Sequence, residues 1–394
     1  MMLLTSPLLW LAAVPSLVHA YSALSDDTLK NLPRGGDDFD IHKGKILAPI
    51  LRTRVSGTPG NAAVLKHFVD FFTNSLPEWK LEFHNSTSTT PTSNGKQIPF
   101  VNLIATRDPP GSQVGEVGRL TLVAHYDSKL TPKGFIGAID SAAPCAMLLQ
   151  TARSIDKALT KKWEAMAAEG TMDLDDQKGV QILLLDGEEA FKSWTHTDSL
   201  YGARALAEEW EFAFHPTAST YRTPLDSISL FVLLDLLGSK GSKIPSYFKT
   251  THWAYKHLGA IETRLRKLGE FKSSPNYPVK VAKRKNKKPR GEPRFLTDAD
   301  KPEDKIYFMG GAIEDDHLPF MARGVEILHM IPSSFPDVWH NLNDDGEHLD
   351  MDTVEDWTRL VTAFAAEWME LEGFFEAKKA ERGEYVGKTE FEIP

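Results

Sequence analysis

Two nearly uninterrupted apolar runs constrain the fold of this chain more than any other feature. Val180–Leu185 and Leu230–Leu234 are each long enough for one strand, and only Gln181 interrupts them. Apolar runs of this length are typical of strands that are buried on both faces, as in the middle of a parallel sheet. The chain is therefore expected to place helices above and below a central sheet.

Predicted strands and helices alternate around these two runs. The predicted elements are helix 60–76, strands 79–83, 100–105 and 119–124, helix 141–158, strand 180–186, helix 200–211, strand 227–234, helix 251–269, strand 325–331 and an amphipathic helix 353–376. Such alternation indicates an α/β fold. We expect a single globular domain with a mostly parallel central sheet and helices on both faces.

The first 20 residues predict a targeting segment. They are apolar, contain no charged residue and end in Val18-His19-Ala20, a small-residue pattern suited to cleavage before Tyr21. A membrane anchor is the alternative, but Pro7 and Pro15 interrupt the apolar run. We expect residues 1–20 to be a signal peptide and residues 21–394 to form one domain, without stable membrane insertion, outside the cell or in the lumen of the secretory pathway.

Asn85-Ser86-Thr87 is the only N-glycosylation sequon of the chain. It lies in a run of Ser and Thr that reads as a surface loop, and glycosylation of Asn85 would agree with the secretory route. The formal net charge of −9 argues against a dedicated nucleic-acid binder, which needs a basic face. Small molecules or peptides are better candidates for the ligand.

A single cysteine, Cys145, excludes an intramolecular disulfide and a thiolate metal site. It lies in the apolar helical stretch 142–149, which favours a buried small hydrophobe over a catalytic nucleophile.

A basic segment stands outside this α/β pattern. Lys280–Arg294 carries eight basic residues against one acid, Glu292, and predicts an exposed basic loop. Both a solvated insertion and an attraction for acidic ligands remain open for this loop.

Polar groups follow several predicted strands where they end, which is where an open α/β sheet collects its ligands. These groups are His125-Tyr126-Asp127, Asp140, Asp186-Gly187-Glu188-Glu189, Asp235, Glu314-Asp315-Asp316-His317 and Trp339-His340. Each alone could be a surface turn or a plain polar histidine. Together, so many carboxylates would resist ionisation unless a cation lay between them. Asp, Glu and His without thiolate suit zinc, and adjacent Glu188 and Glu189 could divide metal binding from proton transfer.

Several sequence blocks in order resemble the zinc aminopeptidase superfamily and, within it, the glutaminyl cyclases of animal type. The blocks are HYDSK (125–129), GAIDSAAPCAMLL (137–149), LLDGEEAF (184–191), WTHTDSLYGAR (194–204), LLDLLG (233–238), EDDHLPF (314–320) and HMIPSSFPDVWHNLNDD (329–345). The resemblance runs from about residue 60 to residue 375.

The resemblance implies a site residue by residue. Asp140, Glu189 and His340 would bind one zinc, and Glu188 would be the general acid and base. Asp235 and Asp315 would form a hydrogen-bond network with Glu188. The residues implied to contact the substrate are Trp194, Ile331, Phe335 and Trp339 in the pocket wall, with His317 near it.

The resemblance also implies a reaction. The α-amine of an N-terminal glutamine attacks its own γ-amide carbonyl, forms pyroglutamate and releases ammonia. The partners would be peptides or proteins that begin with Gln or Glu, and we expect a monomer. The chain departs from the animal pattern where Ala124 and Glu314 replace a cysteine and a glutamine that are common there.

A two-zinc aminopeptidase is the main alternative, because His125 and Asp235 are the residue types that bind a second metal in that superfamily. The aromatic block SFPDVWH (334–340) and Trp194 favour the cyclase. A binding module that has lost catalysis is a third reading, but no expected ligand is missing from the sequence.

Overall fold

The fold was obtained as a computed structural model, which describes residues 22–171, 177–307 and 313–376. The expected signal peptide 1–20 lies outside the described residues. None of the described helices is long and apolar enough to span a bilayer.

The centre of the molecule is a six-stranded sheet in the order β1-β2-β4-β3-β5-β6. Its strands are β1 (Lys80–Thr89), β2 (Gln97–Arg107), β3 (Gly118–His125), β4 (Lys178–Leu185), β5 (Ile228–Leu234) and β6 (Ile327–Met330). Strands β3 to β6 are parallel to one another, whereas β1 and β2 are antiparallel to their neighbours. The predicted α/β class with a mostly parallel sheet is confirmed.

The register places the ends of the parallel strands side by side. His125 at the end of β3 pairs with Leu185 at the end of β4, and Leu234 at the end of β5 pairs with Met330 of β6. Because all four strands point the same way, the polar residues that follow them meet at one edge of the sheet.

Eight helices are present in the described residues. They are α1 (Asp26–Asn31), α2 (Pro59–Ser75), α3 (Ala143–Glu169), α4 (Tyr201–Phe212), α5 (His252–Lys267), α6 (Pro278–Ala282), α7 (His317–Met321) and α8 (Met351–Trp368). Helix α2 begins at a Thr58 cap whose hydroxyl accepts the Asn61 N–H, with Pro59 as its first residue. The long α3 ends at Gly170, which adopts the left-handed conformation of a helix C-cap.

Helix α8 differs from its prediction in length and in character. It ends at Trp368 instead of continuing to residue 376, and every residue from Thr353 to Trp368 is buried. No face of this part of the helix is exposed to solvent, because it packs against both α3 and α5. Its buried Asp356 carboxylate accepts the N–H groups of Lys272 and Ser273.

The sequon lies in a strand and not in a loop, which corrects the local prediction. Asn85 is part of β1 and pairs with Val101 of β2. Its side chain is exposed, whereas that of the preceding His84 points to the opposite face of β1 and is buried. Asn85 is therefore accessible although it lies in a strand.

The basic segment 280–294 begins within the short helix α6 and continues without regular structure. Residues 285–291 are exposed. Two of its members have acidic partners, Lys280 with Asp352 at 2.9 Å and Arg294 with Asp300.

Candidate active site

Polar residues at the carboxyl edge of the parallel strands form the candidate site. Gly187 makes the turn after β4 possible, because its φ is +80° and an added Cβ would lie 2.3 Å from the Phe100 ring. Only glycine fits this backbone. The turn places Glu188 and Glu189, both buried, at the sheet edge beside the residue that ends β3.

Asp127 orients the two adjacent glutamates. Its Oδ1 accepts the Glu188 N–H at 3.1 Å and its Oδ2 accepts the Glu189 N–H at 3.2 Å. A carboxylate that holds two consecutive N–H groups fixes the backbone from which both side chains start. The Glu189 carboxylate contacts Lys129 Nζ at 3.1 Å, whereas Glu188 lines a cavity that Glu189 does not line.

The loop that carries Asp140 is held by residues far away in the sequence. The buried Arg54 guanidinium donates to the carbonyls of Ile136, Gly137 and Asp140. Asp344 accepts the Ile139 N–H at 2.7 Å. These bonds occupy backbone groups that would otherwise be buried without partners, so they stabilise the irregular turn before α3.

Asp140, Glu189 and His340 lie close enough to share one ion, since their ligand atoms all lie within 4.8 Å of one another. His340 Nε2 lies 3.4 Å from Asp140 Oδ2 and 3.6 Å from Glu189 Oε1. The Glu189 Oε1 atom is buried and has no hydrogen-bond partner among the described residues. One imidazole nitrogen and two carboxylates, one with an unsatisfied oxygen, fit the donor set of a catalytic zinc with an open position.

A second group, formed by His125, Asp140 and Asp235, adjoins the first through Asp140. His125 Nε2 lies 3.0 Å from Asp140 Oδ1 and 3.4 Å from Asp235 Oδ1. Burial opposes protonation of His125, but hydrogen bonds with Asp127, Asp140 and Asp235 outweigh it and raise its pKa well above the usual range.

Glu188 is the buried acid of the site. Burial, together with the negative charges of Glu189, Asp315 and Asp316, raises its pKa well above the usual range although His125 opposes the shift. Burial also raises the pKa of Asp235 and of Asp315. A carboxyl with a raised pKa suits proton transfer near neutral pH.

Asp235 and Asp315 each have their own partners. Asp235 accepts the Ser141 hydroxyl. Asp315 Oδ2 lies 2.7 Å from His329 Nε2, and its Oδ1 accepts the Asp316 N–H at 2.6 Å. Asp235 lines the same cavity as Glu188, and Asp315 acts on Glu188 through its charge.

A cavity of about 560 Å³ opens at this acid. Its described lining residues are Lys129, Asp140, Glu188, Lys192, Ser193, Trp194, Asp235, Leu236, Ile313, Glu314, Ile331, Phe335, Trp339 and His340. The cavity thus brings together Glu188, all four residues expected in the pocket wall, and Asp140 and His340 of the triad formed by Asp140, Glu189 and His340.

Aromatic side chains form the mouth of the cavity. Trp339 stacks on His340 with ring centroids 3.8 Å apart, and Phe335 packs edge-on against Trp339. Trp194 is 36% exposed and Trp339 is 37% exposed, which is unusual for residues of this size. A bound side chain would cover both rings.

His317 does not line the cavity, which corrects its expected position beside the substrate. Its ring is buried, packs 4.5 Å from the His329 ring and meets Phe248 edge-on. It therefore lies in the layer behind Asp315. The sequence motif places His317 two residues after Asp315, and the start of α7 turns it inward.

Sequence reasoning missed several residues that support the site. These residues are Arg54, Lys129, Asp198, His329 and Asp344, and all except Asp198 contact a separate segment of the chain. Asp198 accepts the N–H groups of residues 191–193 and so holds the loop that carries Trp194. Lys129, Asp198, His329 and Asp344 lie in motifs already quoted, but nothing in the sequence pointed to Arg54.

Residues 102–365 match the model of peptidase family M28, and the chain belongs to this family. Within it, the chain is homologous to glutaminyl-peptide cyclotransferases. It is 33% identical to the glutaminyl-peptide cyclotransferase of Bos taurus over 90% of this chain and 88% of that protein. It is 37% identical to a glutaminyl-peptide cyclotransferase-like protein of Bos taurus, over 84% and 77% of the two chains.

A solved structure is also similar. The crystal structure of the glutaminyl cyclase of Macrostomum lignano superposes with a TM-score of 0.65 at 30% identity, over 87% of this chain and 91% of that chain. The expected resemblance to glutaminyl cyclases is confirmed.

Proposed function

We propose that the protein is a zinc-dependent glutaminyl-peptide cyclotransferase that converts the N-terminal glutamine of peptides and proteins to pyroglutamate. The observation that carries this proposal is the buried Glu188 beside the triad of Asp140, Glu189 and His340 in an aromatic-walled cavity. Homology to glutaminyl-peptide cyclotransferases over most of the chain supports it.

The reaction requires one bond to form and one to break. The α-amine nitrogen attacks the γ-carbonyl carbon, and the bond from that carbon to the amide nitrogen breaks, so ammonia leaves and a five-membered lactam remains. Glu188 accepts a proton from the attacking amine and returns it to the leaving nitrogen. No water is consumed.

Asp140, Glu189 and His340 would hold one zinc per chain, and the chemistry that zinc supplies when bound is Lewis-acid polarisation of a carbonyl. Ile331, Phe335 and Trp339 would pack on the methylene groups of the glutamine side chain. Because nucleophile and electrophile belong to one residue, holding the bent conformation captures the advantage of an intramolecular reaction. The aromatic wall also excludes water that would otherwise compete as nucleophile.

Asp235 and Asp315 support this role as positioning residues. Their buried carboxylates raise the proton affinity of the site, and Asp235 also contacts His125 at 3.4 Å. His329 contacts Asp315 at 2.7 Å and fixes its orientation, and His317 packs against the His329 ring.

The second candidate is a two-zinc aminopeptidase, which the group His125, Asp140 and Asp235 favours. In that enzyme two metals would activate a water for hydrolysis. The two candidates differ in their products and in their metal content.

The test uses the full mature chain with a peptide that begins with Gln and with mass spectrometry of the products. The proposed activity gives a peptide that has lost one ammonia and no residue. Release of the first residue, with about two zinc ions per chain, would show the aminopeptidase instead. Glu188→Gln is the matched control for chemistry that requires the carboxylate.

We also propose that residues 1–20 are removed as a signal peptide, that residues 21–394 form one catalytic domain and that the mature protein is a secretory-pathway monomer. The exposed Asn85 on edge strand β1 is the proposed glycosylation site. N-terminal sequencing and glycosidase treatment of protein from secreting cells test these points, with Asn85→Gln as the control. An intact Met1 in the secreted product would contradict the cleavage.

A further inference from the structure

A second cavity of about 430 Å³ lies beside the proposed substrate cavity, and Glu314 lines both. Its other walls include His196, Leu318, Pro319, Ala322 and Arg204. No residue with a role in the proposed reaction faces it. The cavity therefore lies outside the site already described and adjoins it at Glu314.

A single hydrogen bond marks the boundary between the two cavities. The indole N–H of Trp194 donates to Glu314 Oε2 at 2.6 Å. Trp194 lines the first cavity and His196, two residues later, lines the second. The segment 194–196 thus forms a shared rim, and Asp198 accepts the N–H groups of the residues just before it.

The chemistry of the second cavity favours an apolar occupant. Leu200, Leu318, Pro319 and Ala322 contribute apolar surface. Its charged lining residues are Arg204, Arg323, Glu208 and Glu314, and Arg323 is paired with Glu211 at 2.8 Å. The apolar residues are therefore the part of the wall that can bury an apolar side chain.

The position of Glu314 agrees with this placement. Because Glu314 lines both cavities, the residues that follow a first residue bound in the first cavity are the ones that can reach the second. Each residue in extended conformation advances the chain by roughly 3.5 Å. We propose that the second cavity is a specificity subsite that takes an apolar side chain at the second or third position of the peptide. This inference rests on the proposed function.

The experiment compares three substrates: glutamine amide, which fills only the first cavity, the amide of Gln-Gly-Gly and the amide of Gln-Leu-Leu. The expected kcat/KM for the leucine peptide exceeds that for the glycine peptide by about 10-fold or more, as burial of a leucine side chain predicts. Equal values would overturn the subsite. Absence of turnover of glutamine amide would overturn the proposed function instead.

A cavity-filling variant locates the effect. Ala322 is exposed and directly follows the five-residue helix α7, so Ala322→Trp would fill the second cavity without changing the first. Ala282→Trp is the matched control, since Ala282 is also exposed and ends the five-residue helix α6.

The expected result is loss of the leucine preference in Ala322→Trp, unchanged turnover of glutamine amide and an unchanged preference in Ala282→Trp. A preserved leucine preference in Ala322→Trp would overturn the assignment to this cavity. If Ala322→Trp does not fold, the smaller Ala322→Leu decides by the same criterion.

Discussion

His125 Nε2 lies 3.0 Å from Oδ1 of Asp140. The other oxygen of the same carboxylate lies 3.4 Å from His340 Nε2. The Asp140 carboxylate therefore contacts both the histidine that ends β3 and the histidine of the proposed metal site. Because Asp140 belongs to both candidate metal groups, the number of zinc ions per chain tests whether it serves one metal or two.

Two adjacent glutamates provide the sharpest test of the site. Glu188→Gln is expected to lower kcat by about 10² to 10⁴ through loss of the acid and base, while the bound zinc stays near one per chain. Glu189→Gln is expected to lose zinc, because it removes one of three ligands. Elemental analysis after dialysis, together with turnover, separates the two roles. Full turnover in Glu188→Gln would assign the proton transfer to another group.

Arg54 is expected to stabilise the Asp140 loop. Arg54→Met removes donors to three backbone carbonyls and should lower the free energy of unfolding by about 3 kcal/mol or more. Zinc affinity should fall with it. Arg52→Ala, at an exposed neighbour, is the control and should change stability by less than about 0.5 kcal/mol. Chemical denaturation measures both. Equal effects of the two substitutions would show that the hydrogen bonds of Arg54 with the Asp140 loop do not stabilise the protein.

His329 should make stability depend on pH. Burial lowers the pKa of His329 to about 3, whereas an unfolded histidine titrates near 6.5. The unfolded state therefore binds a proton at His329 more readily than the folded state does. The free energy of unfolding is highest above pH ~6.5 and decreases as the pH falls, by up to about 1.4 kcal/mol per pH unit.

The measurement is the free energy of unfolding in urea at about pH 7, 6 and 5, the upper half of this pH window. His329→Asn should reduce the slope, while His42→Asn, at an exposed histidine, should leave it unchanged. A slope in His329→Asn identical to that of the unaltered protein would contradict the assignment.

Cys145 should be unreactive in the folded protein. Burial raises the pKa of the Cys145 thiol to about 12, and its Sγ–H donates to the His125 carbonyl at 3.1 Å. Since the thiolate is the reactive form, an aromatic disulfide reagent should label Cys145 only after unfolding. Rapid labelling of one thiol per chain under native conditions would show that α3 opens far more readily than its packing implies.

The sequence by itself determined the elements and their class. Strand and helix periodicities are local, so Val180–Leu185 and Leu230–Leu234 predicted buried parallel strands, and the polar residues that follow them predicted an edge rich in carboxylates. The adjacent pair Glu188 and Glu189 was visible for the same reason. The assignment of zinc ligands and pocket residues came from resemblance to a family and not from spacing.

Only the tertiary structure decided which distant groups meet. Arg54 reaches the Asp140 loop, α8 is buried on every side, His317 lies behind Asp315 and Glu314 is shared by two cavities. None of these follows from a local pattern, because each depends on how separate segments pack around the sheet. Burial then set the proton affinities of Glu188 and His329, since the same side chains in an unfolded chain would titrate in water.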